Sequence, residues 1–368
     1  MQRLLCIVGG MNAGGAETFL MKIYRTIDRG KYQIDFAVAI NEKGFYDEEI
    51  LSYGGRIFHI SPKSAGLIKN YKEIKEIVKT NRYQSVLRIS QHSLSALELR
   101  AARKGGARIC GFRSSNSNTT TGSRKSRILH KLFMFMPRMY ANVRIAPSTE
   151  AAEYMFGRGC IRKNRAQIVH NGVDLSVYRF REEDRNRIRE ELSLKDGLVI
   201  GHVGRFNQQK NHAFLIEVFS EIRKRNKTAK LLLVGTGEKE REIRELVSRN
   251  DLSDSVVFAG VRSDVPALLS AMDVFVFPSF YEGMPNVVIE AQACGLPCVV
   301  SDSITKEAKL TTVIEYLPLS LSADEWAEKA ISLCGERVST HQDIIAQGYD
   351  INSSAKAFVK LLFKEEEA

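Results

Sequence analysis

Residues Pro278 to Ser301 read PSFYEGMPNVVIEAQACGLPCVVS, and they follow the apolar run Asp273-Val274-Phe275-Val276-Phe277. That run is rich in β-branched and aromatic residues, the pattern of a strand buried on both faces of a parallel sheet. Beyond Pro278 the chain turns polar and glycine-rich. Asn286 to Cys294 predicts a short helix with Gly295 as its stop, and Pro297 to Val300 the next strand. The unit is β-loop-α-β, and in open α/β sheets ligands are held by loops at the carboxyl ends of strands. Two carboxylates mark it, Glu282 in the loop and Glu290 in the helix. An ionised carboxylate accepts from two donors at once and so can grip a pair of sugar hydroxyls. On residue type alone, two surface acids on an ordinary Rossmann-like unit are the favoured reading, and it is the surrounding string that shifts it.

The 368 residues suit two domains of ordinary size, and an apolar content of 44% with 8 prolines describes a folded chain. No apolar run reaches the ~18 residues of a membrane span, and the N-terminus reads as a first strand rather than a signal peptide. The 6 cysteines are scattered and read as small buried residues in a reducing cytosol. The charge is unevenly placed: residues 1–181 carry 31 Lys+Arg against 13 Asp+Glu, whereas residues 182–368 carry 23 against 30. Between Glu98 and Glu150 there are eleven basic residues and no acid. Such polarity suits an anionic partner, with lipid headgroups, diphosphates and nucleic acid all open at this level.

The rest of the chain alternates strand and helix, which implies parallel sheets covered on both faces. Predicted strands lie at Leu4–Val8, Ile34–Ile40, Ile57–Ile60, Val86–Ser90, Ala107–Phe112 and Val143–Pro147, then at Leu198–Val203, Lys230–Val234 and Val256–Phe258. The first runs into a glycine-rich turn, Gly9 to Glu17, ahead of a helix; such turns let backbone amides approach a phosphate. In the second half Gly204-Arg205 and Lys210 stand between a strand and a helix starting near His212. Two cations at a strand end beside a helix N-terminus make a seat for a diphosphate.

Taken together, E-G-M-P-N-x-x-x-E with A-x-A-x-G-x-P, the G-R-x-x-x-x-K string, G-x-G at Gly235 and G-G-A-E at Gly14 resemble retaining glycosyltransferases of family 4. Glu282 and Glu290 match that family's E-x7-E pair. The resemblance implies the α/β GT-B fold, two Rossmann-like parallel-sheet domains facing across a cleft. It implies an acceptor-binding domain at residues 1–178, a nucleotide-sugar domain at 179–350, and a final helix at 351–368 returning to the first. The activity implied is that of a hexosyltransferase acting by front-face attack, with a UDP-sugar as donor and GDP-mannose as the alternative. Arg205 and Lys210 would hold the donor diphosphate, Glu282 the transferred sugar and Glu290 the ribose. Gly14, Gly15, Gly204, Gly235, Val261, Arg262, Gly283, Met284, Pro285 and Asn286 complete the implied donor site. No D-x-D string occurs, so no metal cofactor is expected; cations and amides would neutralise the leaving diphosphate.

The E-G-M-P-N form resembles bacterial capsule, O-antigen and exopolysaccharide enzymes, which implies a polyprenyl-diphosphate-linked saccharide as acceptor. It also implies a cytoplasmic protein peripherally attached to the inner face of the plasma membrane. Arg124, Lys125, Arg127 and Lys131 sit beside Ile128, Leu132, Phe135 and Met139 in a stretch, Ser123 to Tyr140, that reads as one basic amphipathic helix. The polar run Asn116 to Gly122 before it reads as a mobile loop. One departure stands out. Where many family members carry H-S-H-N, this chain has Phe112-Arg113-Ser114-Ser115-Asn116. Arg113 there either contacts an anionic acceptor, as a catalytic-site residue, or braces its loop, with His92, at the end of the fourth strand, as a candidate to fill part of the missing place. His170, in the N-G-V-D turn, reads as structural. Two other readings stay open: a degenerate member that binds sugar nucleotides without catalysis, and a basic nucleic-acid-binding protein. No RNA-binding motif supports the second, and no nucleic-acid partner is expected.

Overall fold

The computed structural model of the chain describes residues 1–12, 14–115, 124–194 and 197–363, with side chains throughout except at 124–127. The polar run Asn116 to Gly122 lies outside the described residues. The chain divides into two compact units, one made of Met1–Gly172 with Gly348–Ala368 and the other of Val173–Gln347.

The first unit is built on seven strands: β1 (Gln2–Val8), β2 (Tyr32–Val38), β3 (Ile57–His59), β4 (Ser85–Ser90), β5 (Ile109–Ser114), β6 (Val143–Ala146) and β7 (Gln167–Ile168). They pair in the order β3-β2-β1-β4-β5-β6-β7, and every pairing is parallel. The period of two along a strand sends Leu4, Cys6 and Val8 to one face and Leu5 and Ile7 to the other. The first face packs against the helices Gly15–Thr26 and Ile351–Leu362, the second against Leu67–Thr80 and Ala96–Gly105. The helix at the C-terminus is anchored by Phe358, whose ring lies 6.0 Å from that of Phe19, and by Leu362. It approaches β5 closely because Gly111 has no side chain: a Cβ there would stand 2.7 Å from Leu362 Cδ2.

The second unit has six strands: β8 (Val199–Val203), β9 (Lys230–Val234), β10 (Val256–Gly260), β11 (Val274–Phe277), β12 (Cys298–Ser301) and β13 (Ile314–Leu317). Their order is β10-β9-β8-β11-β12-β13, again all parallel. In each sheet the order reverses beside its first strand, between β1 and β4 and between β8 and β11. The loops that leave adjacent strands at such a point diverge to opposite faces and open a crevice. In the second unit those loops are Gly204–Asn211 and Pro278–Pro285, the two stretches that carry Lys210 and Glu282.

Three elements differ from the sequence reading. β7 and β13 close the sheet edges without having been predicted. Two residues are too few for a periodic signal, and Ile314-Glu315-Tyr316-Leu317 alternates within a polar neighbourhood. The stretch expected as one basic helix is two, Arg124–Leu132 and Phe135–Tyr140. Pro137 explains the break, since it donates no amide and its ring clashes with the carbonyl four residues earlier, that of Phe133. Among the described residues no helix is long and apolar enough to cross a membrane.

Truncating Phe358 to Ala removes the largest side chain joining the last helix to the first unit. It is expected to cost about 3–5 kcal/mol of stability, read from guanidinium unfolding. A loss below about 1 kcal/mol would mean that this helix is not part of that core.

Candidate functional site

The loops at the carboxyl edge of the second sheet are joined backbone to backbone. Gly204 N–H donates to the Val234 carbonyl at 2.9 Å, Phe206 N–H to Thr236 at 3.0 Å, and Gly235 N–H to Gly260 at 2.8 Å. Gly235 has φ +134°, and a Cβ there would stand 2.1 Å from the Gly204 carbonyl oxygen. Only glycine permits that approach. On the other side of β8, Phe280 N–H donates to the Gln209 carbonyl at 2.9 Å, and Gln209 Nε2 returns a bond to the Tyr281 carbonyl at 2.9 Å. Asn211, at φ +54°, starts the helix His212–Arg225 and donates from Nδ2 to the Pro278 carbonyl at 3.1 Å.

This stitching brings two of the predicted site residues together. Lys210 Nζ donates to Glu282 Oε1 at 2.7 Å, with the two side chains only 15% and 12% exposed. The ammonium also lies 4.4 Å from the centre of the Phe277 ring, a cation–π contact. Arg205 stands apart: its side chain is 73% exposed and pairs with Glu238 at 3.4 Å. Exposed pairs of that kind hold weakly, so the guanidinium is free to turn toward a ligand. Gly283 and Met284 lead through Pro285 into the helix Asn286–Ala293, and Met284 packs on the core below. Glu290 lies on that helix, and burial first, then the Glu290 carboxylate, hold the Tyr178 phenol well above its ordinary pKa. Val261, on the turn after β10, is 77% exposed. Its neighbour Arg262 is committed to Asp264 and Glu191 through contacts of 2.6 to 2.8 Å, leaving the backbone of that turn as its free surface.

Beneath the Gly204–Asn211 loop lies a pair of imidazoles that residue patterns did not single out. His202 is fully buried, donates from Nδ1 to the Val276 carbonyl at 2.9 Å and stacks on Phe277. His212 meets it edge to face at 4.7 Å. Burial holds the pKa of His202 well down and that of His212 at about 4; His212 and Lys210 further oppose protonation of His202, and Lys210 that of His212. Both rings are therefore neutral floor groups under a cationic loop. Tyr178, Gln209 and Phe277 also went unnoticed, because each acts through a distant partner and carries no local string.

In the first unit, Gly14 and Gly15 open the helix Gly15–Thr26 after β1. Glu17 turns back to its own amide, and burial raises its carboxyl pKa. Arg113 is 1% exposed; its guanidinium lies 3.7 Å over the Phe19 ring and donates to Asn171 Oδ1 at 2.6 Å. Among the described residues no carboxylate pairs with it, and burial pushes its pKa down to about 9. The geometry is that of the brace rather than of an open anion contact. His92 follows β4, with its ring 6.1 Å from that of His130. His170 stacks on Tyr349 at 3.7 Å.

The basic segment hangs on His130, which is buried, accepts from Ser93 N–H at 3.2 Å and stacks on Tyr154 at 4.3 Å. Ile128, Leu132, Phe135 and Met139 are exposed, not packed on the sheet, and Lys131 is exposed beside them. The side chains of Arg124, Lys125 and Arg127 lie outside the described residues.

Residues 13–177 match the sequence family described as Glycosyltransferase Family 4, and residues 197–336 that described as Glycosyl transferases group 1. The chain is 32% identical over 369 residues to EpsF of Bacillus subtilis (strain 168), named as a glycosyltransferase, covering 98% of this chain and 96% of that one. The chain belongs to glycosyltransferase family 4. A second relative, the UDP-Gal:alpha-D-GlcNAc-diphosphoundecaprenol alpha-1,3-galactosyltransferase of Escherichia coli, is 34% identical over 142 residues, 38% of this chain and 37% of that one. Among solved structures, HepE of Anabaena in complex with UDP and glucose superposes with a TM-score of 0.78 at 19% identity, covering 98% of this chain and 99% of that one. That likeness gives the fold, GT-B.

The imidazole pair makes stability pH-dependent. In the unfolded chain His212 takes a proton near its ordinary 6.5, whereas in the folded chain it resists until about 4. The unfolded state thus binds more protons between those values, and stability falls as pH drops through that window. The expected loss is at most about 3 kcal/mol from this residue, and His212→Phe should flatten the profile between pH 6.5 and 4. An unchanged slope in that variant would show that His212 is not held neutral.

Proposed function

We propose that this family 4 enzyme moves a sugar from a nucleotide-sugar, in first place a UDP-sugar, to a saccharide carried on polyprenyl diphosphate, in bacterial surface polysaccharide synthesis. The observation that carries the donor half is the Lys210–Glu282 contact of 2.7 Å at the strand reversal of the second sheet. One ammonium and one carboxylate, held side by side in a crevice, match the two chemistries of a sugar diphosphate: anionic oxygens and vicinal hydroxyls. Lys210 and Arg205 take the diphosphate, assisted by the amides of Gly283 to Asn286. Glu282 takes the hydroxyls of the transferred sugar and Glu290 those of the ribose. The base lies against Val261, with backbone groups at Gly235 and Arg262 along its edge.

Transfer then needs positioning and charge rather than a protein nucleophile. The bond between the anomeric carbon and the phosphate oxygen breaks while the acceptor oxygen bonds to the same face. The acceptor hydroxyl's proton passes to the leaving phosphate oxygen, and configuration is retained. Lys210 and Arg205 stabilise the charge that develops on the diphosphate. For the acceptor, the Escherichia coli relative is named for a diphosphoundecaprenol-linked substrate and a UDP-sugar donor. The exposed apolar side chains beside Lys131 support attachment of the first unit to an anionic membrane surface, which would bring it to a lipid-linked acceptor at the cytoplasmic face.

The test is release of free nucleotide from a panel of UDP- and GDP-sugars, with and without a lipid-diphosphate saccharide. Wild type should release nucleotide from one donor, faster with acceptor, and Glu282→Ala should lower the rate by about 100-fold or more. Equal rates in the two proteins would remove Glu282 from the site. Absence of release despite donor binding would favour a non-catalytic member.

A further inference from the structure

The carboxyl edge of the first sheet carries a pocket that the donor site does not use. The chain leaving β3 and the chain leaving β4 each enter a helix, Leu67–Thr80 and Ala96–Gly105, and the pocket lies between the first turns of the two. Its volume is about 380 Å³, the size of a site for a small organic ligand. Leu67, Ile68, Tyr71 and Leu97 give it apolar walls, and Leu67 and Ile68 are exposed to solvent there. The same pocket carries charge. Lys63 Nζ donates to Ser95 Oγ at 2.7 Å and stands 3.5 Å from Glu98 Oε2, which also pairs with Arg88 Nε at 2.5 Å. Glu98 is the one carboxylate among the described residues that line the pocket, against two cations, Lys63 and Arg100. An ammonium has three donors. Lys63, with its side chain 32% exposed, can serve Ser95 and Glu98 and still offer one donor to an incoming anion.

The short turn Ser93–Ser95 ties this pocket to the basic segment. Ser95 holds Lys63 on one side, while Ser93 holds His130 on the other, through its amide at 3.2 Å and its hydroxyl at 2.7 Å. Farther along the helix Ala96–Gly105, Arg100 lies 5.9 Å from the centre of the Tyr140 ring. The pocket and the exposed Ile128, Leu132, Phe135 and Met139 thus share one support.

We propose that this pocket seats the head of the acceptor's lipid carrier: the first isoprene units lie against Leu67, Ile68, Tyr71 and Leu97, and Lys63 contacts a diphosphate oxygen. This rests on the reading of the acceptor as a saccharide on polyprenyl diphosphate. Such a lipid joins an apolar chain directly to an anion, and the pocket sets apolar walls directly beside a cation. The remainder of a long chain runs from the pocket to the membrane that the exposed side chains of the basic segment meet.

The experiment measures calorimetric binding of farnesyl diphosphate, farnesol and inorganic diphosphate to the full chain, with saturating UDP present to occupy the donor site. Wild type is compared with Lys63→Gln, with Leu67→Ser/Ile68→Ser, and with Leu132→Ser/Phe135→Ser on the basic segment; UDP affinity, expected to be equal in all four, reports an intact fold. Wild type should bind farnesyl diphosphate at least about tenfold more tightly than either of its halves. Leu67→Ser/Ile68→Ser should weaken that binding by about tenfold. Lys63→Gln should weaken it by a similar factor without changing the affinity for farnesol, and Leu132→Ser/Phe135→Ser should leave it unchanged. Inorganic diphosphate bound as tightly as farnesyl diphosphate would leave an anion site only, and farnesol bound as tightly an apolar site only; either overturns the proposal. So would a loss confined to Leu132→Ser/Phe135→Ser. Nucleotide release separates this proposal from the reading beneath it. An unchanged KM for a lipid-diphosphate saccharide in Leu67→Ser/Ile68→Ser would overturn the pocket's role and leave the reaction standing. A wild type that no lipid-diphosphate saccharide stimulates would overturn the acceptor reading and the proposal with it.

Discussion

The carboxyl edge of the second sheet depends on the approach of the Gly235 α-carbon to the Gly204 carbonyl. A side chain at Gly235 would begin 2.1 Å from that oxygen, so the loops after β8 and β9 would have to separate. Because they do not, the hydrogen bonds of Gly204, Phe206 and Gly235 run across three successive strand ends. The chain from Gly204 to Asn211 is thereby fixed on one side. Its other side is fixed to the Pro278–Tyr281 stretch by Gln209 and Asn211. Lys210 and Glu282, 72 residues apart in sequence, meet as the consequence.

Their pairing has an energetic logic. A charge buried alone is expensive, and removing one partner of a buried pair leaves the other uncompensated. In the free protein each of the two groups satisfies the other, and the Phe277 ring supports the ammonium. On the functional reading, a sugar diphosphate offers a replacement for both partners: phosphate oxygens for Lys210 and sugar hydroxyls for Glu282. Neither charge is then left unpaired in either state. The neutral imidazoles below add no competing positive charge to a loop that already carries Arg205 and Lys210.

Much of this was legible in the sequence because parallel strands announce themselves as apolar runs, and because the strings around Glu282 and Lys210 are long and specific. Family and fold followed from them. What was not legible falls into three physical kinds. Edge strands as short as Gln167–Ile168 carry no period. Burial is invisible in a single residue type: Arg113 looks like an anion contact, yet it lies closed beneath Phe19 and Asn171, where burial lowers its pKa. Conversely, Ile128, Leu132, Phe135 and Met139 carry the spacing of a packed face but stay exposed, and Pro137 divides their helix. Long-range partners form the third kind. Gln209 and Tyr281, joined by a hydrogen bond, are 72 positions apart, and no local pattern joins them.

The central claim is that the loops at the carboxyl edge of the second sheet form one site for a nucleotide-sugar. Amide hydrogen exchange followed by mass spectrometry, with and without a saturating UDP-sugar, tests it most directly. The account predicts slower exchange in four peptides together, covering residues 204–211, 235–240, 260–262 and 280–290. Saturation of the protein with no protection in these four, or protection confined to other segments of the second unit, would contradict it.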